Sequence, residues 1–363
     1  PGFIDTHVHY PQIDVIASYG AQLMDWLSDY TFPAELSFAD PKICANAAKF
    51  FINQLLANGT TSALVFGTVH ENSADALFEQ ARKKRMRLIA GKVLMDRGAP
   101  KGLLDGRDLG RAASERLIKK WHGEDRLGYA ITPRFAPTST DAQLAMAGQL
   151  KEKYPDVHVH THMSENKDEI KAVAELFPHA RDYLDVYERH GLVGQKTVLA
   201  HGIHMNTDMC KRLSQSGAAI ALCPTSNLFI GSGLFNLARL RKYKVSHALG
   251  TDIGGGTSFS QLATMKAAYE VCQLQGLSLS AFEAFYMATL GAARAIGFDH
   301  IGNFNITNEA DFTLLDLAAT PLVARRMRSV KSLHEMLFVL MILGDDRLVH
   351  ETYVLGRSVY KRP

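Results

Sequence analysis

Apolar residues along this chain gather into short β-branched runs. Each run closes on polar or glycine-rich residues and gives way to a stretch with helical periodicity. Eight runs stand out: "FIDTHVH" (3–9), "TSALVFG" (61–67), "RLIAGKVLMD" (87–96), "LGYAITPRF" (127–135), "VHVHTHMSE" (157–165), "TVLAHGIHM" (197–205), "AAIALCPTSN" (218–227) and "SHALGTDIGGG" (246–256). Amphipathic segments lie between them, among them 73–84, 141–154 and 208–216. Strands alternating with helices in this way predict a parallel sheet. Eight such units are the arithmetic of a (β/α)8 barrel. An open doubly wound sheet has no reason to stop at eight, and the G-x-G-x-x-G turn expected after its first strand is missing. "GTDIGGGTS" (250–258) is glycine-rich but lacks the lysine of a phosphate-binding loop.

Two departures from the regular pattern carry information. The segment after the first strand is long and holds "LMDWLSDYTFPAE" (23–35), an insertion of the kind that helps form a pocket at the top of a barrel. Trp26 and Phe32 within it are pocket candidates by position. After about residue 300 the style changes. "EADFTLLDL" (309–317) and "ETYVLGRSVY" (351–360) read as strands of a small separate sheet, with "SLHEMLFVLMILG" (332–344) as a buried helix between them. This gives a barrel over 1–303 and a return segment over 304–363 that belongs to a small β-sandwich. Two lone strands do not make a stable sheet, so the pattern predicts that a stretch preceding Pro1 supplies the rest.

Composition narrows the function classes. Apolar residues make up 47% and charged residues 21%, as in ordinary globular proteins. The net charge of +3 is small and its basic residues are scattered, which argues against nucleic acid and membrane surfaces. No apolar run is long enough to span a bilayer, and no signal-peptide pattern opens the chain. The four cysteines, Cys44, Cys210, Cys223 and Cys272, form no CxxC pair and read as inert thiols of a cytoplasmic protein.

The histidines are different, because several fall at the ends of predicted strands. In a barrel of this kind the active site lies at the C-terminal ends of the strands. Those ends hold His7 and His9, Arg134, His162 and Glu165, His201, and Asp252. Imidazoles and carboxylates are the nitrogen and oxygen ligands of a zinc-like divalent ion. His7 and His9 share a strand face, about 7 Å apart along it, which lets both turn to one ion. Singly, each residue reads equally well as a satisfied polar group; their placement on four strand ends points to a metal site. On the fifth strand His158, His160 and His162 have the same parity, and the strand end favours His162. Glu165 leaves that strand where a carboxylate can shuttle protons. The same "SENKDE" also reads as a capped helix start, with Ser164 or Asn166 as the cap.

Taken together, "PGFIDTHVH", "HMSE", "AHG" and "GTD" resemble the mononuclear amidohydrolase superfamily, metal-dependent hydrolases on a (β/α)8 barrel. Longer motifs, "HVHYPQ", "DWLSDYTFPAE", "ITPRFAPTS", "HTHMSENKDE", "CPTSNLFIGSGLFN" and "LGDDR", are similar to the guanine deaminases within it. That resemblance implies His7, His9, His162 and Asp252 as ligands of one zinc or iron ion per subunit. It implies Glu165, His201 and Asp252 in catalysis, and Gln12, Arg134, Phe135 and His201 against the purine base. It further implies a homodimer acting in purine catabolism. A guanidinium fork suits the O6 and N7 acceptors of guanine, whereas adenine would meet Arg134 donor to donor. The alternatives are a related amidohydrolase acting on cytosine, an adenosine-type base or a triazine, and a barrel that serves as a non-catalytic scaffold. A binuclear enzyme would need a bridging lysine near the end of strand four, where this chain has Arg134.

Overall fold

The computed structural model describes residues 1–20 and 22–363. Eight parallel strands follow one another around the sheet in chain order: β1 (Phe3–His9), β2 (Thr60–Phe66), β3 (Arg87–Gly91), β4 (Leu127–Pro133), β5 (His158–Met163), β6 (Thr197–His201), β7 (Ala219–Leu222) and β8 (Ser246–Leu249). Val93–Leu94 extends β3 beyond Lys92 and pairs with Thr132 and Pro133. Closure between the last strand and the first comes from the residues just past β8. The Asp252 N–H donates to the His7 carbonyl at 2.9 Å, and the His9 N–H donates to the Ile253 carbonyl at 2.8 Å. Asp5 ties the same seam through the Thr251 N–H at 3.0 Å and the Thr251 hydroxyl. Burial pushes the Asp5 carboxyl up to about 7, although those hydrogen bonds oppose the shift.

Small and branched side chains fill the barrel floor: Ile4, Leu64, Ile89, Ala130, Val198, Ala219 and Ala248, closed below by Ala292, Ala293 and Ile296. The alanines leave width for the imidazoles above them. The pairing of β1 with β2 shifts register between Asp5 and Val8. That irregularity changes the inward parity, so Ile4 joins the floor cluster while His7 and His9 face the chamber above it. The outer core packs the strands against the helices, for instance Phe51, Ile52 and Leu55 of Pro41–Ala57 with Leu77 and Phe78 of Glu71–Lys84.

The C-terminal part corrects the sequence pattern in two ways. The run 351–360 is a hairpin and not one strand: β10 (Val349–Val354) turns at Leu355 and Gly356 into β11 (Arg357–Lys361). With β9 (Phe312–Leu315) these form a three-stranded antiparallel sheet, order β9–β10–β11. The sequence pattern missed the turn because "LG" carries a weaker hairpin signal than Asn-Gly or Asp-Gly. This sheet is bonded to the barrel through the Thr352 hydroxyl on the Leu56 carbonyl at 2.8 Å and the Gly2 N–H on the Asp311 carbonyl at 3.0 Å. The helix Leu333–Leu343 is only half buried: Val339, Leu340 and Met341 are inside, while Leu333 is 57% exposed.

Candidate metal centre and binding cavity

Four donor atoms converge where β1, β5 and β8 end. His9 Nε2 lies 3.2 Å from His7 Nε2 and 3.1 Å from His162 Nε2. Asp252 Oδ1 lies 3.1 Å from His7 Nε2 and 3.4 Å from His9 Nε2. A tetrahedral ion with donors about 2.05 Å away separates those donors by about 3.3 Å, so the spacing suits zinc-like coordination. The ring contacts of His162 and His7 fit this arrangement. His162 donates Nδ1–H to the Arg134 carbonyl at 2.7 Å, which leaves a lone pair on Nε2. His7 presents Nδ1 to His160 Nε2 at 2.8 Å and its own Nε2 to the cluster. Burial keeps the rings neutral: it pulls His7 down to about 3, and His9 and His162 well below the usual histidine range. Lone pairs facing one another beside a carboxylate, with few protons to separate them, form a set that a cation completes.

The fifth strand therefore divides its three histidines by height. His162 faces the cluster. His160 sits behind His7 as a hydrogen-bond partner. His158 lies at the floor, with Nε2 on the Ile296 carbonyl at 2.8 Å.

Glu165 follows β5 on a sharp turn. Ser164 before it is in the left-handed region at φ 52°, as are His201 at 72° and Asp252 at 53°, so three chamber turns carry backbone strain. Asn166, not Ser164, caps the helix Lys167–Leu176, with Glu169 completing a capping box. Glu169 also accepts the Glu165 N–H at 2.8 Å, which fixes the backbone from which the Glu165 side chain projects. The Glu165 carboxylate reaches His201 Nε2 at 3.4 Å and accepts from the Ser232 hydroxyl at 3.3 Å. Burial, then the charges of Asp252 and Glu169, push its pKa well above the ordinary value. Burial also raises Asp252, with His201 opposing. His201 lies 3.8 Å from Asp252 Oδ2 and bridges the two carboxylates. Behind it, Asn227 meets His201 Nδ1 at 2.9 Å.

A cavity opens onto this cluster. His9, His162, Glu165, His201 and Asp252 line one end. Gln12, Arg134, Phe135, Trp26, Leu23, Leu27 and Ile230 line the other. Every residue that sequence reasoning placed in the site thus lies in or beside one chamber, with His7 just beneath it. Trp26 joins the wall with a buried indole N–H that has no partner among the described residues. Phe32 lies under Arg134, its ring 5.4 Å from the guanidinium. Sequence reasoning missed Glu35, which holds Arg134, and Asn227, which holds His201. The available signals were an acid inside the apolar insertion and an Asn in "CPTSN" just past a strand end.

The amidohydrolase family model matches residues 1–359. Guanine deaminase of Escherichia coli K12 is 54% identical over 363 residues, covering 100% of this chain and 83% of that protein. Its solved structure superposes with a TM-score of 0.99 over 100% of this chain and 84% of that one. A guanine deaminase structure from C. acetobutylicum with guanine bound in the active site is 30% identical, with a TM-score of 0.92 over 99% of this chain and 86% of that one. A zinc-bound adenosine deaminase from Xanthomonas campestris, 23% identical with a TM-score of 0.87 over 99% of this chain and 79% of that one, shares the fold. Fold, chamber and likeness agree: this chain belongs to the amidohydrolase family, in the branch formed by the guanine deaminases.

Proposed function

We propose that the protein hydrolyses guanine to xanthine and ammonia, with His7, His9, His162 and Asp252 holding one zinc ion. The observation that carries this reading is the single chamber that joins a four-donor cluster to a cavity lined by Gln12, Arg134 and Phe135. A divalent ion bound there would supply the Lewis acidity that makes water a nucleophile near neutral pH. Iron accepts the same donors.

The chain's own residues account for the remaining steps. Glu165, with a carboxylate made basic by burial, takes a proton from the attacking water and delivers it to ring N3 of guanine. Protonation there makes C2 electrophilic. His201, within reach of both Glu165 and Asp252, orients the nucleophile and stabilises the tetrahedral centre. Asp252 relays a proton to the departing amine, so ammonia leaves and the ring carbonyl of xanthine forms. Phe135 walls the ring, while Arg134 and Gln12 read its edge.

This assignment places catalysis in the barrel, 1–303, and leaves 304–363 as the return segment. A homodimer is part of the same proposal, and Phe282, Tyr286, Leu322 and Leu333 are among the exposed apolar side chains available to an interface. Four free, buried cysteines suit a reducing cytoplasm. Among the described residues no helix is long and apolar enough to cross a membrane.

Ammonia release across guanine, adenine, cytosine and a triazine tests the reading. Guanine is expected to lead by kcat/KM; equal or better turnover of another base overturns the assignment.

A further inference from the structure

Arg134 and Gln12 line the cavity, yet both lean on a residue that does not. Glu35, fully buried in the short helix Phe32–Leu36, accepts from Arg134 Nη1 with both oxygens, at 2.8 and 2.7 Å. Its Oε1 also accepts from Gln12 Nε2 at 3.3 Å. The far end of the Gln12 amide is fixed too, because its Oε1 accepts the Gly254 N–H at 3.1 Å. Gln12 Nε2 also meets His9 Nδ1 at 3.1 Å, so both ends of that amide are engaged within the protein. Among the described residues the remaining guanidinium N–H groups of Arg134 make no hydrogen bond to protein, so they are left for a ligand. Phe32, three residues before Glu35 on the same helix, supports the guanidinium face.

We propose that Glu35 is the residue that sets the base preference of this pocket. It acts as a positioning residue that dictates which donors of Arg134 face the substrate. The proposal rests on the reading of the chamber as a guanine site.

The chemistry follows from the donor count. A purine with a carbonyl at position 6 offers acceptors to a fixed guanidinium; one with an amino group there offers a donor to a donor. A carboxylate at 35 has only acceptors, so it satisfies Arg134 and Gln12 together. A glutamine at 35 must turn its NH2 toward one of them. Arg134 is then free to swing away from the base, while Gln12 stays held by Gly254 and His9. Discrimination at position 6 relaxes while the hydrolytic machinery stays where it was.

Guanine and 2,6-diaminopurine test this, because they share the reacting 2-amino group and differ at the edge formed by position 6 and the proton on N1. In Glu35→Gln the ratio of kcat/KM for guanine over 2,6-diaminopurine is expected to fall about tenfold or more, mainly through the KM for guanine, with metal content unchanged. Glu35→Gln leaves a buried guanidinium uncompensated, so the double variant Glu35→Gln/Arg134→Gln guards against loss of folding. Its ratio is expected to match that of Arg134→Gln within about twofold, since Glu35 acts through Arg134. A Glu35→Gln enzyme that loses both activities equally, or a double variant far from Arg134→Gln, overturns the proposal. Wild-type protein that releases no ammonia from guanine overturns the reading of the pocket itself, whereas an active wild type with an unchanged ratio in the variant overturns this proposal alone.

Discussion

Buried charge gathers at both ends of the barrel, and the two clusters differ in what they lack. At the floor, Arg126 pairs with Asp311 and Glu309, and Arg87 pairs with Glu309. Asp311 also accepts the Leu355 N–H at 2.9 Å, so the cluster pins the small sheet to the start of β3 and β4. Each charge there meets its opposite within the chain. At the top, three imidazole nitrogens and the Asp252 carboxylate face one another and Glu165 adds a second acid, while Arg134 nearby is already paired with Glu35. Burial of charge is common to both. The charges of the floor are balanced within the chain; those of the top are left short of a cation. That imbalance, and not burial, marks the functional end.

Removing the carboxylate of Glu165, the proposed proton shuttle, breaks the comparison most severely. Glu165→Gln is expected to keep its metal, measured by elemental analysis, and to lose about 10²–10⁴-fold in kcat. Loss of the metal along with turnover would instead make Glu165 a ligand.

Arg126→Met addresses the floor. It leaves Asp311 and Glu309 partly uncompensated and is expected to cost about 3–5 kcal/mol of stability in denaturant unfolding, with kcat per folded molecule unchanged. A fall in kcat at full folding would tie the floor to the chemistry.

His160 stands between the two kinds of cluster, a silent support for a ligand. His160→Ala is expected to weaken metal binding about 10–100-fold in a chelator competition, without emptying the site at excess metal. A site left empty at saturating metal would make His160 the ligand in place of His162.

Acid gives the smallest and most graded effect, and its sign differs between the ends. Burial lowers the pKa of His7, His9 and His162, so their neutral, metal-ready form survives below the ordinary value of 6.5. Metal retention through pH 6.5 is therefore expected to be flat in a dialysis series. At the floor, burial alone would raise Glu309, but the hydrogen bond from Arg87 and the charge of Arg126 carry it below its ordinary value of 4.5. Its contribution to stability is complete above 4.5 and fades as pH falls through the folded value. Glu309→Gln is expected to flatten that part of the acid-unfolding curve; an unchanged slope would locate the acid sensitivity elsewhere.

Much of this was legible in the residues themselves. Eight apolar runs identify the barrel, and the His, Arg, Glu or Asp at the ends of five of them point to its working end, because strand parity and strand ends are local properties. His162 could be chosen over His160 by height along β5 alone. What escaped was contact between distant segments. Glu35 meets Arg134 across 99 positions of sequence, and Asn227 meets His201 across a neighbouring strand. No periodicity encodes such pairs. The hairpin at Leu355–Gly356 escaped for the opposite reason, since its turn is so short that two strands read as one. The register shift in β1, which moves the inward face from Ile4 to His7, is also invisible to a pattern of strict alternation.

Metal titration of stripped protein reaches the central claim most directly. The account predicts that ammonia release from guanine, absent without metal, returns with added zinc and saturates at one ion per chain, while His162→Ala stays silent. Full turnover by metal-free protein, or saturation only at two ions per chain, would contradict it.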